Sequence, residues 1–208
     1  MKRHTLVTTL RRGVALLCAS LGACLAPCPA PAQSTADFYS GKTVTIFVGF
    51  GPGGGYDAYA QLLAPHIRRH IPGQPTVIVK HMPGAGSLAL MNYLWSVAPR
   101  DGTAFGIPAS SAAFAPLIGT EQENQLVLAN LEMSRPFVAP PDVPDDRLNT
   151  LRQAFDRTAR DPAFRAAATK AGREISAITA TDIGTLLRDA HAMPADIVRR
   201  AAEISSGR

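Results

Sequence analysis

Thr43-Val44-Thr45-Ile46-Phe47-Val48 runs directly into Gly49-Phe50-Gly51-Pro52-Gly53-Gly54-Gly55, and Asp57 opens a helical pattern just beyond. The first six residues are β-branched and nearly all apolar, as a strand buried on both faces requires. The glycines can continue neither strand nor helix. Ala58, Leu62, Leu63 and Ile67 then share one helical side. Strand, glycine turn and helix in that order predict a βα unit and, repeated, an α/β layer around a parallel sheet.

The repetition is present. Pro65 sits inside the first helical pattern and predicts a kink, since it cannot donate to the carbonyl four residues back. Ile71-Pro72-Gly73 ends that helix, and Thr76-Val77-Ile78-Val79 reads as a second strand. A second turn, Pro83-Gly84-Ala85-Gly86-Ser87, leads into a helix carrying Leu88, Met91, Leu94 and Trp95. Asp101-Gly102 turns the chain into a third strand, 103–107, followed by a polar loop at Ser110-Ser111. Residues 121–133 are weakly amphipathic. Pro136-Phe137-Val138-Ala139 and 174–178 are the fourth and fifth strand candidates. Pro144-Asp145-Asp146 is a strong helix start, with proline in the first turn and acids at the positive end of the dipole. Asp161-Pro162 starts another helix, and Thr179-Ala180-Thr181-Asp182 resembles a capping box. Met193-Pro194 breaks that helix, and a last one ends near Ile204. The expected fold is a single doubly wound, mostly parallel sheet of about five strands.

Residues 1–32 have a different character. Lys2, Arg3, Arg11 and Arg12 precede an apolar run of 14 residues, Gly13 to Ala26, and the stretch ends Ala30-Pro31-Ala32. A basic start, a short apolar run and an A-x-A site describe a secretory signal peptide cleaved after Ala32, and the run is shorter than the roughly 20 residues of a membrane span. Leu21-Gly22-Ala23-Cys24 offers a second reading, a lipoprotein box with Cys24 lipidated. The leader holds four of the 21 basic residues and none of the 16 acidic ones, so the remaining 176 residues carry 17 against 16. The basic balance therefore belongs to the leader and makes no case for a nucleic-acid partner. Cys18, Cys24 and Cys28 all lie in the leader. The mature chain has neither a disulfide framework nor a catalytic thiol, which suits an oxidising compartment.

Gly49, Gly51 and Gly54 satisfy G-x-G-x-x-G between a strand and a helix, the setting of a dinucleotide site. Such a site wants an acid at the end of the second strand, where Lys80 and His81 stand. Glycines at a helix start have a broader use, since their N–H groups and the positive end of the helix dipole hold carboxylate or phosphate without charged side chains. A tight turn with no ligand is the plain alternative. Two glycine-rich turns at one sheet edge favour a ligand, because they aim two helix starts at one place beyond the strand ends. Catalytic candidates are weaker. His66 and His70 are four apart, but Arg68 and Arg69 lie between them and no H-E-x-x-H exists, so a solvated helix end is expected. No G-x-S-x-G surrounds Ser87, Ser110 or Ser111, and Asp145-Asp146 reads as helix-start charge. The chain is read as a binding protein, not an enzyme, with no cofactor and no metal.

Val48-Gly49-Phe50-Gly51-Pro52-Gly53-Gly54-Gly55-Tyr56-Asp57, with Met82-Pro83-Gly84-Ala85-Gly86-Ser87 farther on, resembles the periplasmic solute receptors of tripartite tricarboxylate transporters, the Bug family. Ala98-Pro99-Arg100-Asp101-Gly102-Thr103 and Arg135-Pro136-Phe137-Val138-Ala139-Pro140-Pro141 add to the likeness, which runs from about Phe38 to Ile204. The resemblance implies two α/β lobes closing on a small carboxylate that is delivered to a membrane permease. It places ligand contacts at Pro52, Gly53, Gly54, Gly55, Tyr56 and Asp57 and at Gly84, Ala85, Gly86 and Ser87, with Ser110 and Ser111 matched by position only. Asp57 is expected to orient the loop or the helix start. Two departures are His81, where the family commonly has Asn nearby, and Ser87, where Gly is frequent. The first-lobe pattern stops near Gly119-Thr120 and the returning C-terminal pattern resumes by about Leu126, which leaves no stretch for the second lobe. The expected organisation is therefore a leader at 1–32, the first part of lobe one at 33–120 and its completing segment at 121–208. A single lobe encloses less of a ligand, so weakened binding, or a vestigial protein that binds none, is implied.

Overall fold

Thr43–Val48, here β1, is the middle of a three-stranded sheet in the computed structural model, which describes residues 34–110 and 135–192, the side chains of residues 190 and 191 excepted. The leader at 1–32 with Cys24, as well as Ser111, the pattern at 121–133, the Met193-Pro194 break and the last helix, lie outside the described residues. The order is β2-β1-β3, with β2 at Thr76–His81 and β3 at Ala104–Ile107, and both pairings with β1 are parallel. Helix α1 (Thr35–Tyr39) precedes the sheet. Helix α2 (Gly55–Ile67) connects β1 to β2, and α3 (Leu88–Ser96) connects β2 to β3. The chain then continues into α4 (Asp145–Arg160), α5 (Pro162–Lys170) and α6 (Ala180–His191).

Alternation along the strands sends the two connections to opposite faces. Val44, Ile46 and Val48 of β1, with Phe105 and Ile107 of β3, pack against Ala60, Leu63 and Ile67 of α2, Leu151 and Ala154 of α4 and Phe164 of α5. Phe47 and Ala104 point the other way, onto Leu90 and Leu94 of α3. Each fully buried aliphatic side chain contributes about 1.5–3 kcal/mol. Among the described residues the first face therefore carries most of the core, and α3 packs on the second with Met82 and Val138 beside it. Helix α2 runs through Pro65 without ending. Its buried Leu63, Ala64 and Ile67 hold the last turn against the sheet despite the missing donor.

The helix starts follow their sequence signals. Asp145 and Asp146 occupy the first turn of α4, and Arg157 and Arg160 the last. Asp161 caps α5 by accepting from Ala163 N–H at 2.8 Å. Thr179 accepts from Asp182 N–H at 3.2 Å while its hydroxyl donates to the Asp182 carboxylate at 2.7 Å, forming the box ahead of α6.

The fourth strand candidate contributes one antiparallel bridge. Gly106 and Val138 exchange both hydrogen bonds at 2.8 Å. Pro136 and Pro140, two residues to either side, lack N–H donors, so the ladder cannot extend. Residues 174–178, the fifth candidate, form no strand. The described sheet thus has three strands in an open parallel α/β arrangement.

Buried Tyr39 ties α1 to the turn before β3 by donating to the Gly102 carbonyl at 3.1 Å, and its burial pushes the phenol up to about 12. Tyr39→Phe should lower stability by about 1 kcal/mol in a denaturant titration, with an unchanged m-value.

Candidate functional site

The parallel register aligns Val48 with both His81 and Ile107, so the loops after all three strands leave the sheet at the same edge. The order β2-β1-β3 makes the gap between β1 and β3 the point where successive connections diverge, the usual crevice of such sheets. The structure brings Pro52–Asp57, Gly84–Ser87 and Ser110 to this edge and ties the three loops together.

The first tie is Asp57, buried at 8% exposure. Its carboxylate accepts from Gly53 N–H at 2.7 Å, from His81 Nε2 at 2.8 Å and from Gln61 Nε2 at 3.2 Å. The glycine loop is thereby fastened to the end of β2. The Gly53 N–H bond chiefly holds this carboxyl below its ordinary 3.8; burial pushes upward, and the His81 and Gln61 bonds add to the lowering.

Ser87 makes the second tie. It is 1% exposed, and its hydroxyl oxygen accepts from Ala109 N–H at 3.1 Å, which links the second turn to the loop after β3. Tyr56 makes the third, its hydroxyl accepting from Ser110 N–H at 3.2 Å while its ring stacks on Phe50 at 4.4 Å.

Those side chains face inward, and backbone faces outward. Pro52, Gly53 and Gly54 are exposed, as are Gly84, Ala85 and Gly86. Helix α2 starts at Gly54 and α3 at Ser87, neither with a side-chain cap. The first-turn N–H groups of α2 have no acceptor within the helix and are available to an anion. The start of α3 is already bonded, with Ser87 and Ala89 N–H donating to the Gly84 carbonyl at 2.9 and 3.4 Å and Leu88 N–H to that of Ala85, so the second turn offers the N–H groups of 84–86 instead. The second turn carries backbone strain. Gly84, Ala85, Gly86 and Ser87 have φ of 147°, 45°, 61° and 80° in succession. Left-handed residues other than glycine cost roughly 1–2 kcal/mol each, so Ala85 and Ser87 are held there by their surroundings.

Arg135 is a residue that motif reading did not assign to the site. Its guanidinium lies 4.4 Å from the Tyr59 ring centroid and 5.8 Å from that of Tyr56. A methyl group on Gly55 would meet one of its nitrogens at 3.3 Å. No spacing signal could have placed it beside the start of α2, because the contact spans 80 residues of sequence. His66 and His70 are not a metal pair: His70 Nε2 meets the Asp161 carboxylate at 3.0 Å, and His66 packs on the Phe164 ring. Among the described residues no cluster of His, Cys, Asp or Glu could hold a metal ion, and no helix is long and apolar enough to cross a membrane.

No family model matches the sequence, and no curated protein matches it. Solved structures do. A TctC solute binding protein from Polaromonas superposes with a TM-score of 0.54 at 11% identity, over 81% of this chain and 98% of that one. The periplasmic binding protein BugD gives 0.52 at 12% identity, over 78% and 98%. MatC from Rhodopseudomonas palustris, solved with bound malate, gives 0.50 at 11% identity, over 80% and 98%. These are the proteins that the sequence motifs resemble, and at such identities the likeness speaks for the fold. The chain folds as a periplasmic-binding-protein-like α/β lobe.

Proposed function

We propose that this chain is an exported solute-binding protein that captures a small carboxylate at the common edge of its three strands. The convergence of the open start of α2 and the exposed glycine turn before α3 on one edge, with the loops fastened from behind by Asp57, Ser87 and Tyr56, carries the reading. An anion there would accept backbone N–H groups of 54–56 and 84–86, with Ser110 at the same edge. Asp57 faces His81 and Gln61, so its role is to fix the loop. Malate in one protein of the same fold supports the ligand class. The proposed cellular context is the periplasm, reached through the leader at 1–32, with a tripartite-type membrane permease as the recipient. A single lobe leaves much of the ligand in contact with water, so affinity is low and no clamshell closes. The competing reading is a folded remnant that binds nothing.

A nucleotide-dependent enzyme fits less well. Lys80 and His81 occupy the place of the ribose-binding acid, and the Asp57 carboxylate already takes the Gly53 N–H that a pyrophosphate would need. Among the described residues the sheet edge assembles no nucleophile with a base beside it.

A thermal melt of the exported chain with millimolar malate, succinate and citrate separates the readings. One of these acids should raise Tm while acetate does not, with a stabilisation of about 2.7 kcal/mol at 100 times Kd. A cooperative melt unmoved by every acid favours the remnant.

A further inference from the structure

The face of the sheet that carries α2 and α4 holds a cavity of about 670 Å³. Its walls are mainly apolar, with Leu63, Phe137, Leu148, Phe155, Ile175 and Ile183 among them. None of Pro52–Asp57, Gly84–Ser87 or Ser110 lines it. The volume lies in the range of pockets that enclose a drug-sized molecule.

One end of the cavity holds an unsatisfied guanidinium nitrogen. Arg135 lines it, and its buried Nε has no hydrogen-bond partner. The guanidinium of Arg173 stands 5.8 Å from the same Tyr59 ring that Arg135 covers. Arg152, Asp156 and Glu174 are also in the wall, but the ion pairs among the described residues belong to Arg69, His70, His81 and Arg100, so neither acid pairs with Arg135. A buried donor without an acceptor is costly, and a carboxylate is the group that a guanidinium satisfies best.

We propose that this cavity is a second binding site, for a monocarboxylate with an apolar chain of medium length. The carboxylate meets Arg135, and the chain lies along the walls between α2, α4 and α6. Arg135 also stands beside the start of α2, but none of the small-carboxylate contacts lines the cavity, so the proposal stands whether or not that edge binds.

Calorimetric titration of the purified chain with dodecanoate below its micelle concentration tests the proposal, beside butanoate and dodecanol. Dodecanoate should bind one-to-one and at least tenfold more tightly than butanoate. Gly184 lines the cavity from inside α6, and a Cβ added there has only an Arg188 guanidinium nitrogen near it, at 3.6 Å. Gly184→Leu should therefore keep the fold, fill the cavity and weaken dodecanoate and dodecanol at least tenfold, with any malate response of the melt unchanged. Arg135→Gln should weaken dodecanoate about tenfold and leave dodecanol as it was. Absence of saturable one-to-one binding, or binding that Gly184→Leu does not weaken, overturns the proposal. Dodecanoate uptake without any malate response supports the cavity and counts against the sheet-edge reading.

Discussion

Gly49→Ala should destabilise the protein by about 3 kcal/mol and lower Tm by roughly 10 °C. A Cβ at Gly49 would overlap the Ser87 hydroxyl oxygen and lie 2.8 Å from the Ser87 Cβ. Neither partner can yield cheaply. Gly49 continues the β1–β3 ladder by donating to Ile107 O at 3.2 Å, and Ser87 is buried with its hydroxyl accepting from Ala109 N–H. The second turn must therefore move away from the loop after β3, and the sheet edge opens. Ser87→Gly alone loses one hydrogen bond, about 1 kcal/mol, but relieves a left-handed residue at φ 80°, so its net effect should be small. The double variant Gly49→Ala/Ser87→Gly should then recover most of the loss. Calorimetric melts of all four proteins close the cycle, and additive losses would refute the clash as the cause.

Asp57→Ala is expected to cost about 2–3 kcal/mol, in keeping with the loss of charge-assisted hydrogen bonds from a buried carboxylate. It releases Gly53, His81 and Gln61 together, so the glycine loop should become accessible to proteolysis before the rest of the chain. Binding at the edge, wherever the melt detects it, should weaken with it. The pH dependence has a definite sign. The Asp57 carboxyl is lowered from 3.8 on folding, so its contribution is complete above that value and fades as the pH falls through the lowered one. Asp101 is lowered as well: burial pushes it upward, but hydrogen bonds from Thr103 outweigh that. Asp161 is lowered chiefly by its bond to His70. Wild type should thus lose stability on acidification below pH 4 more steeply than Asp57→Ala, and parallel curves would remove Asp57 as a source of acid sensitivity.

Much of the local structure could be read from residues that act on near neighbours. The strand at Thr43–Val48, the helix from Gly55 and the caps at Asp161 and Thr179 depend on β-branching, glycine placement and short-range hydrogen bonds. The strand at 174–178 was a different matter, because a strand also needs a partner edge, and none pairs with it among the described residues. Val138 found such an edge, but flanking prolines held it to a single bridge. The glycine turns could be recognised from sequence. Their fastening could not, since Asp57 meets His81 across 24 residues and Ser87 meets Ala109 across 22.

The α/β class, the parallel strands and the placing of two glycine turns at helix starts follow from residue order, because each rests on periodicity and backbone freedom within a few residues. Long-range packing set Asp57 and Ser87 inward as braces, laid Arg135 beside Tyr59 and brought α6 to the wall of a cavity on the face of α2 and α4. Those outcomes depend on which distant surfaces meet, and burial, not local preference, selects them.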